Sequence, residues 1–194
     1  MKGFCSKLAV ALAIIILMSG LCCPCSVFAR KFSVSTNILG YLNFGTMNLE
    51  ASYAVARHWS INAGAKFNPF TFQFPWMDHA MQNRQQSYSL GARLWPWHTF
   101  SGWWVGARLQ YQEYNTGGIV SKRTEEGDGI GIGLSAGYSY MVHPHLNIEF
   151  GMGLWSGIKK YAVYDCPACG RTVEKGSKGF VMPNDIMISV VYVF

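Results

Sequence analysis

Apolar and polar residues alternate along most of this chain with a period of two. In residues 32–38, apolar or β-branched side chains occupy the even positions and small polar side chains occupy the odd ones. Because successive side chains of a β-strand point to opposite faces of a sheet, this pattern predicts a strand with one apolar face. Seven further segments alternate in the same way: 48–55, 59–67, 87–94, 103–112, 130–140, 146–154 and 186–194.

The connections between the eight predicted strands have two lengths. Those after the second, fourth and sixth strands are short, at 57–58, 96–101 and 143–145, and those after the third, fifth and seventh are long, at 68–84, 115–128 and 157–184. Short turns at one end and long loops at the other are typical of bacterial outer-membrane barrels, which have an even number of strands. We therefore predict an all-β fold, an eight-stranded antiparallel up-and-down transmembrane β-barrel with short periplasmic turns and long extracellular loops.

Aromatic residues support the membrane interpretation. The chain ends on an aromatic residue, Phe194, as the last strand of an outer-membrane barrel commonly does. Tryptophan is enriched where a membrane protein meets the bilayer interface, and five of the seven tryptophans cluster at the short-turn ends. They are Trp59, Trp95, Trp97, Trp103 and Trp104. A secreted soluble barrel of the lipocalin type is the alternative fold.

Composition narrows the choice further. Only 13% of the residues are charged, while 50% are hydrophobic and 15% aromatic, which excludes a disordered chain and disfavours an ordinary cytosolic enzyme. The formal net charge is +6, but the lysines and arginines are scattered and form no basic stripe. We therefore expect no nucleic-acid partner.

The amino-terminal segment has the features of a secretory signal peptide. Lys2 and Lys7 flank the start of an apolar run at 8–21, and Ala29 supplies a small residue for cleavage. The run is too short to favour a membrane-spanning helix. We predict that residues 1–29 are removed and that the protein then enters the outer membrane of a Gram-negative bacterium.

Removal of the signal peptide leaves one domain, residues 30–194, and takes away four of the six cysteines. The residues that precede those cysteines lack the small side chain that a lipidation motif requires, so we do not expect a lipid anchor. The two cysteines that remain in the mature chain are Cys166 and Cys169.

Cys166 and Cys169 lie two residues apart in the last long loop, and several chemistries remain open for them. An oxidising exterior favours a disulfide. A zinc site needs two more ligands, and only Asp165 is close in sequence. Free thiols and a redox dithiol are further alternatives, although no helix start is predicted here to lower a thiol pKa. The disulfide is our leading interpretation, and the pair is a weak metal candidate.

Five charged residues occupy predicted inward positions on five different strands. An eight-stranded barrel is only wide enough for its own side chains, so opposite charges inside it would have to satisfy one another. We interpret these residues as a structural network, with a proton or ion path as the alternative. They are Glu50, Lys66, Arg93, Arg108 and Glu149.

Histidines supply little evidence of catalysis. His58, His98, His143 and His145 fall in predicted periplasmic turns, where solvated polar residues are ordinary. Asp78 and His79 are adjacent in a predicted extracellular loop, but that loop lacks a serine that such a pair would activate. We predict no catalytic residue, no cofactor and no enzymatic activity.

Several short motifs, spread over nearly the whole mature chain, resemble the landmarks of one family. They are Thr36-Asn37-Ile38-Leu39, the segments 67–72 and 114–119, Tyr164-x-Cys166-x-x-Cys169-Gly170, and the Lys-Gly segment that follows. The family is a domain of unknown function from secreted or outer-membrane proteins of Bacteroidota. The resemblance implies a small outer-membrane β-barrel with a CxxCG motif in its last extracellular loop, and it carries over no catalytic residue.

These expectations lead to a functional hypothesis. We expect a structural or accessory surface protein that sits in the lipid bilayer and binds another envelope or fimbrial component through its extracellular loops. A narrow channel for a very small solute or a proton is one alternative, and an outer-membrane lipid-modifying enzyme is another. The sequence does not predict the oligomeric state.

Overall fold

A computed structural model of the chain describes residues 30–72, 81–117, 123–165 and 172–194. The predicted signal peptide, residues 1–29, lies outside these ranges. Within them the chain forms nine strands and one short helix. The elements are β1 (Phe32–Asn37), α1 (Ile38–Leu42), β2 (Met47–Ala56), β3 (Trp59–Asn68), β4 (Thr71–Phe72), β5 (Met81–Leu94), β6 (Gly102–Gly117), β7 (Thr124–His143), β8 (Leu146–Tyr164) and β9 (Thr172–Val193).

The strands form one antiparallel sheet that closes on itself. Its order is β3-β2-β1-β9-β8-β7-β6-β5-β4, and β3 also pairs with β5. The closing ladder between β3 and β5 runs from Trp59 opposite Leu94 to Asn68 opposite Gln85. A continuous ring of hydrogen-bonded neighbours therefore passes through eight strands, and only the two-residue β4 lies outside it. The predicted all-β antiparallel fold is confirmed.

We name the two ends of this ring by their connections. The turn end carries the connections 57–58, 95–101 and 144–145, and the loop end carries the ends of β6, β7, β8 and β9 that are joined through 118–123 and 165–171. Among the residues that the structure describes, no helix is long and apolar enough to cross a membrane.

Burial in this protein is reversed relative to an ordinary soluble domain. Most large apolar side chains point away from the ring, and Leu134 in the middle of β7 is 63% exposed. Small polar and charged side chains fill the interior, and Glu149 on β8 is 1% exposed. The period-two alternation of the sequence therefore separates an apolar outer surface from a polar inside.

The strands near the loop end are longer than the sequence pattern predicts. Strands β7, β8 and β9 contain 20, 19 and 22 residues, so most of the predicted loops 115–128 and 157–184 is strand. Much of the predicted loop 68–84 is strand as well, in β4 and β5. The alternation disappears there because both faces carry polar residues, while the backbone hydrogen bonds that define a strand continue.

Residue Ile38 does not extend the first strand as predicted, because the helix α1 begins there. The side chain of Asn37 accepts a hydrogen bond from the backbone N–H of Leu39 at 3.1 Å. This is the N-cap interaction that starts a helix, and it bends the chain away from β1. Phe44 and Gly45, both with positive φ, then lead the chain into β2.

The five tryptophans lie near the turn end, and they divide between the two faces of the sheet, so only the outward ones can contribute to an aromatic girdle. Trp103 is 58% exposed on the outside, and Trp59 and Trp97 are exposed as well. Trp104 is 1% exposed and Trp95 is fully buried, because both point into the ring.

The inward tryptophans form an apolar cluster at the turn end. It contains Trp95, Phe100, Trp104, Met187, Val191 and Val193. The Trp95 indole donates to the hydroxyl of Ser60 at 2.9 Å. The backbone carbonyl of Phe100, a residue with positive φ, accepts a hydrogen bond of 2.6 Å from the Asn147 amide, which holds the turn in place. We call these six residues the turn-end cluster.

Candidate functional site

An ion network occupies the middle of the interior, and Arg93 is its centre. The Arg93 guanidinium donates to Glu149 at 3.1 Å through Nη1 and to Glu50 through Nη2. The guanidinium also lies over the Trp104 ring, with its Cζ atom 4.3 Å from the ring centroid. The carboxylates come from β2 and β8 and the arginine comes from β5, so one cation joins three strands across the ring.

Glycines on neighbouring strands make the space that the two inward arginines need. Gly106 lies opposite Arg93 in the ladder between β5 and β6, and a Cβ atom there would stand 3.1 Å from the arginine Cγ. Gly133 lies opposite Arg108 in the next ladder, and a Cβ atom there would stand 3.1 Å from that arginine's Cγ and Nε. The small residues of the polar face therefore leave room for long cationic side chains inside a narrow ring.

Lys66 and Arg108 belong to the same interior region. Both line a small polar cavity of about 40 Å³ together with Glu50 and Arg93. A cavity of this size can hold an ordered water between polar groups. The structure thus brings Glu50, Arg93 and Glu149 into direct contact and places Lys66 and Arg108 beside them. Two carboxylates among three cations let the buried charges offset one another.

A second interior cluster lies nearer the loop end, and the sequence analysis missed it. The Tyr114 hydroxyl donates to Glu125 at 2.7 Å, and the Lys159 ammonium lies 2.8 Å from the same carboxylate oxygen. The ammonium also lies over the Tyr114 ring, 5.2 Å from its centroid. Below them, the rings of Trp155 and Phe180 meet edge to face at 4.5 Å. We call these five residues the loop-end cluster.

The ion pair of the loop-end cluster changes the protonation of its members. Partial burial raises the pKa of Glu125, but the hydrogen bonds from Lys159 and Tyr114 lower it more, and the pKa lies below the ordinary glutamate value. Burial, followed by the hydrogen bond to Glu125, raises the pKa of Tyr114. Glu125 is therefore ionised and Tyr114 is neutral at neutral pH.

A signal for this cluster exists in the sequence. Tyr114 continues the inward set Gln110 and Gln112 of β6, two residues at a time. Extending the alternation past the predicted strand end would have placed Tyr114 inside, but the polar outer residues hide the pattern there. The register of β6 with β7 and of β7 with β8 then brings Glu125 and Lys159 into contact with Tyr114.

The remaining candidate residues lie at the ends of the chain's strands or outside the described ranges. His58 and His145 each contact a backbone carbonyl through Nδ1 at 2.9 Å, those of Trp95 and Val193. The described residues contain no group of three or more His, Cys, Asp or Glu side chains arranged to hold a metal ion. Four candidates lie outside the described residues: Asp78, His79, Cys166 and Cys169.

Comparison with known proteins places the chain in a family without assigning an activity. No curated protein matches it. A family model described as a protein of unknown function (DUF3575) matches residues 12–194. Because the match covers nearly the whole sequence, including every strand described above, the chain belongs to the DUF3575 family.

Proposed function

We propose that this protein is an outer-membrane β-barrel of a Gram-negative bacterium, a structural or accessory surface protein that binds an envelope or fimbrial partner beyond the bilayer. The observation that carries the proposal is a change in the outer surface along the same strands. An apolar belt surrounds the ring, and the strands then continue past it with charged residues on the outside. The first part suits lipid and the second suits a protein partner.

The apolar belt has the dimensions that a bilayer requires. On β7 the outward side chains from Ile130 to Tyr140 are apolar, aromatic or alanine. A tilted strand crosses the hydrocarbon core in about 9 to 11 residues, which matches this stretch. Exposed apolar side chains on every strand of a closed ring are favourable in lipid and costly in water.

Beyond the belt, the outer face becomes polar while the ladder continues. Glu126 and Asp128 follow on β7, and Asp128 lies opposite Glu113 of β6 and Lys160 of β8. These strands project past the belt as a sheet of paired backbone, which is a rigid platform. A barrel that only had to cross the membrane would need short turns here.

The interior supports a closed barrel over the channel alternative. The ion network at Arg93 and the turn-end cluster lie one after the other along the interior. Trp104, a member of the turn-end cluster, contacts Arg93. An eight-stranded barrel is filled by such side chains. The lipid-modifying alternative depends on Asp78 and His79, which lie outside the described residues, and no observation favours it.

Membrane integration is tested by fractionation and by electrophoresis with and without boiling. We expect the protein in the outer-membrane fraction, depleted of residues 1–29, with a folded band that migrates differently from the boiled one. Recovery as a soluble periplasmic protein would contradict the proposal.

Partner binding is tested with a photocrosslinking amino acid placed at single positions in living cells. Glu126 reports on the projecting sheet, Leu134 on the belt and Arg57 on the turn end; all three side chains are exposed. We expect a defined protein adduct from the variant at Glu126 and none from the other two. Equal adducts from all three positions, or none from Glu126, Glu113 and Lys160, would overturn the proposed partner.

A further inference from the structure

A separate cavity of about 160 Å³ lies inside the ring between the ion network and the loop end. Its walls combine aromatic rings, a thioether and amides. The residues that line it include Gln112, Tyr114, Trp155, Lys159, Phe180 and Met182. Cavities of comparable volume in other proteins accept a molecule the size of benzene.

One polar group of this cavity lacks a hydrogen-bond partner within the described part of the chain. Trp155 is 4% exposed, and its indole N–H is buried without a hydrogen-bond acceptor among the residues that the structure describes. Buried N–H groups are almost always hydrogen-bonded, so this donor is an exception, and it is available to an acceptor on a bound molecule. The wall that contains it is otherwise apolar, because the Trp155 ring packs against Phe180.

The charges of the cavity are already matched. Lys159 is paired with Glu125 at 2.8 Å, and the Tyr114 hydroxyl donates to the same carboxylate. An ionic ligand would have to compete with this pair and lose its own hydration. An uncharged ligand meets aromatic faces and avoids that cost.

We propose that this cavity binds a small uncharged molecule with an apolar, ring-sized body and one hydrogen-bond acceptor, which accepts the indole N–H of Trp155. The volume sets the size, the rings of Trp155 and Phe180 set the apolar body, and the unpaired donor sets the position of the acceptor. This site is distinct from the partner surface, which lies on the outside of the projecting strands.

Two probes of almost the same shape separate the acceptor from the apolar body. Anisole has an ether oxygen that accepts a hydrogen bond, and ethylbenzene has a methylene group in its place. The full chain, folded in detergent micelles and labelled with ¹⁵N at its tryptophan indoles, is titrated with each probe. Trp97, which is exposed at the turn end, reports on probe dissolved in the micelle.

We expect anisole to shift the Trp155 indole resonance downfield in a saturable manner, and ethylbenzene to bind more weakly without the downfield shift. The Trp155→Phe variant removes the donor together with its resonance, so its affinity for each probe is measured by calorimetry. Its preference for anisole over ethylbenzene should fall by about three- to ten-fold, the value of one hydrogen bond. A Trp155 resonance that follows Trp97 in both titrations, or an equal response to both probes, would overturn the proposal.

A blocking variant provides a second test that leaves the walls in place. Gly129 lines the cavity, and a Cβ atom there meets its nearest neighbour at 3.4 Å, so Gly129→Leu adds bulk directed into the space. Gly179→Leu is the matched control, since its Cβ atom would point to the outside with 3.8 Å to the nearest atom. We expect the blocking variant to lose anisole binding and the control to keep it, with both retaining the folded electrophoretic band. Retained binding in folded Gly129→Leu would contradict the assignment.

Discussion

Arg93 shows how a single residue organises the interior. Its guanidinium joins carboxylates from β2 and β8 and lies against Trp104. Arg93, Glu149 and Trp104 are almost completely removed from water, while the Glu50 side chain is 17% exposed. A buried ion pair contributes little net stability compared with an apolar substitute, but the loss of one partner leaves an unpaired buried charge. Loss of Arg93 therefore leaves two carboxylates without their shared cation, whereas loss of one carboxylate leaves Arg93 paired with the other.

This asymmetry makes a prediction about two substitutions. Arg93→Met leaves Glu50 and Glu149 without their shared cation and should cost about 3 to 5 kcal/mol of unfolding free energy. Glu149→Gln leaves Arg93 paired with Glu50 and should cost less, about 1 to 3 kcal/mol. Urea titration of the folded electrophoretic band measures both values.

The exposed Arg57 supplies the control for that comparison. Arg57→Met should change the unfolding free energy by no more than about 0.5 kcal/mol, as is usual for surface positions. If Arg93→Met were no more costly than this control, the interior network would not hold the ring together.

At the scale of elements, the long strands carry the sheet past the apolar belt into a projecting part. The hairpin of β8 and β9 is paired from Leu146 opposite Tyr192 up to Tyr164 opposite Thr172. The ladder between β1 and β9 ends at Asn37 opposite Ser189, and Pro183 lies in β9 nearer the loop end. Because β1 does not reach Pro183, the missing N–H of the proline costs no hydrogen bond to β1. A proline at this position of β9 therefore leaves the pairing of β9 with β1 intact.

The last hairpin leads to a prediction about Cys166 and Cys169, whose structure lies outside the described residues. Because Tyr164 and Thr172 already pair at the base of their loop, a bond between the cysteines would add little further restraint. Replacing both by serine should change the unfolding free energy by less than about 2 kcal/mol and speed proteolysis only around that loop. Loss of the folded band would contradict this expectation.

Mass spectrometry of the untreated protein distinguishes the chemistries that remain open for the pair. A mass two hydrogens below that of the dithiol indicates the disulfide, and zinc retained in a native spectrum indicates a metal site. Complete alkylation without reductant indicates free thiols.

At the scale of the whole molecule, the interior is divided into levels. The turn-end cluster lies at one end, the ion network follows, and the loop-end cluster with its cavity lies above them. The ring is closed around all three by eight paired strands. Such a molecule presents its outer surface and its projecting strands, while side chains fill its interior at the turn-end cluster and the ion network.

The filled interior predicts that the protein does not conduct ions. In planar bilayers we expect no single-channel steps from the parent chain across pH and salt. The double variant Trp95→Ala and Trp104→Ala removes the two largest side chains of the turn-end cluster and should produce small, brief openings. Steps in the parent that decrease when Arg93 or Arg108 is neutralised would instead support the channel alternative.

The sequence by itself determined the features that depend on local alternation. Within the apolar belt a side chain must face either the apolar outer surface or the polar interior, so Leu134 and Arg108 could be assigned to opposite faces from their positions alone. The same reasoning predicted an all-β antiparallel fold and the inward direction of Arg93 and Glu149. Where both faces of a strand are polar, this information vanishes, and the true lengths of β7, β8 and β9 could not be predicted.

Only the tertiary structure decided which residues meet. Glu50, Arg93 and Glu149 lie on strands that are distant in sequence, and only the closure of the ring brings them across its interior. Closure of the ring also forms the Trp155 cavity, because the residues that line it come from five different strands. Alternation states the side of the sheet on which a residue lies; strand register and ring closure set its distance from every other residue, and those depend on the whole chain.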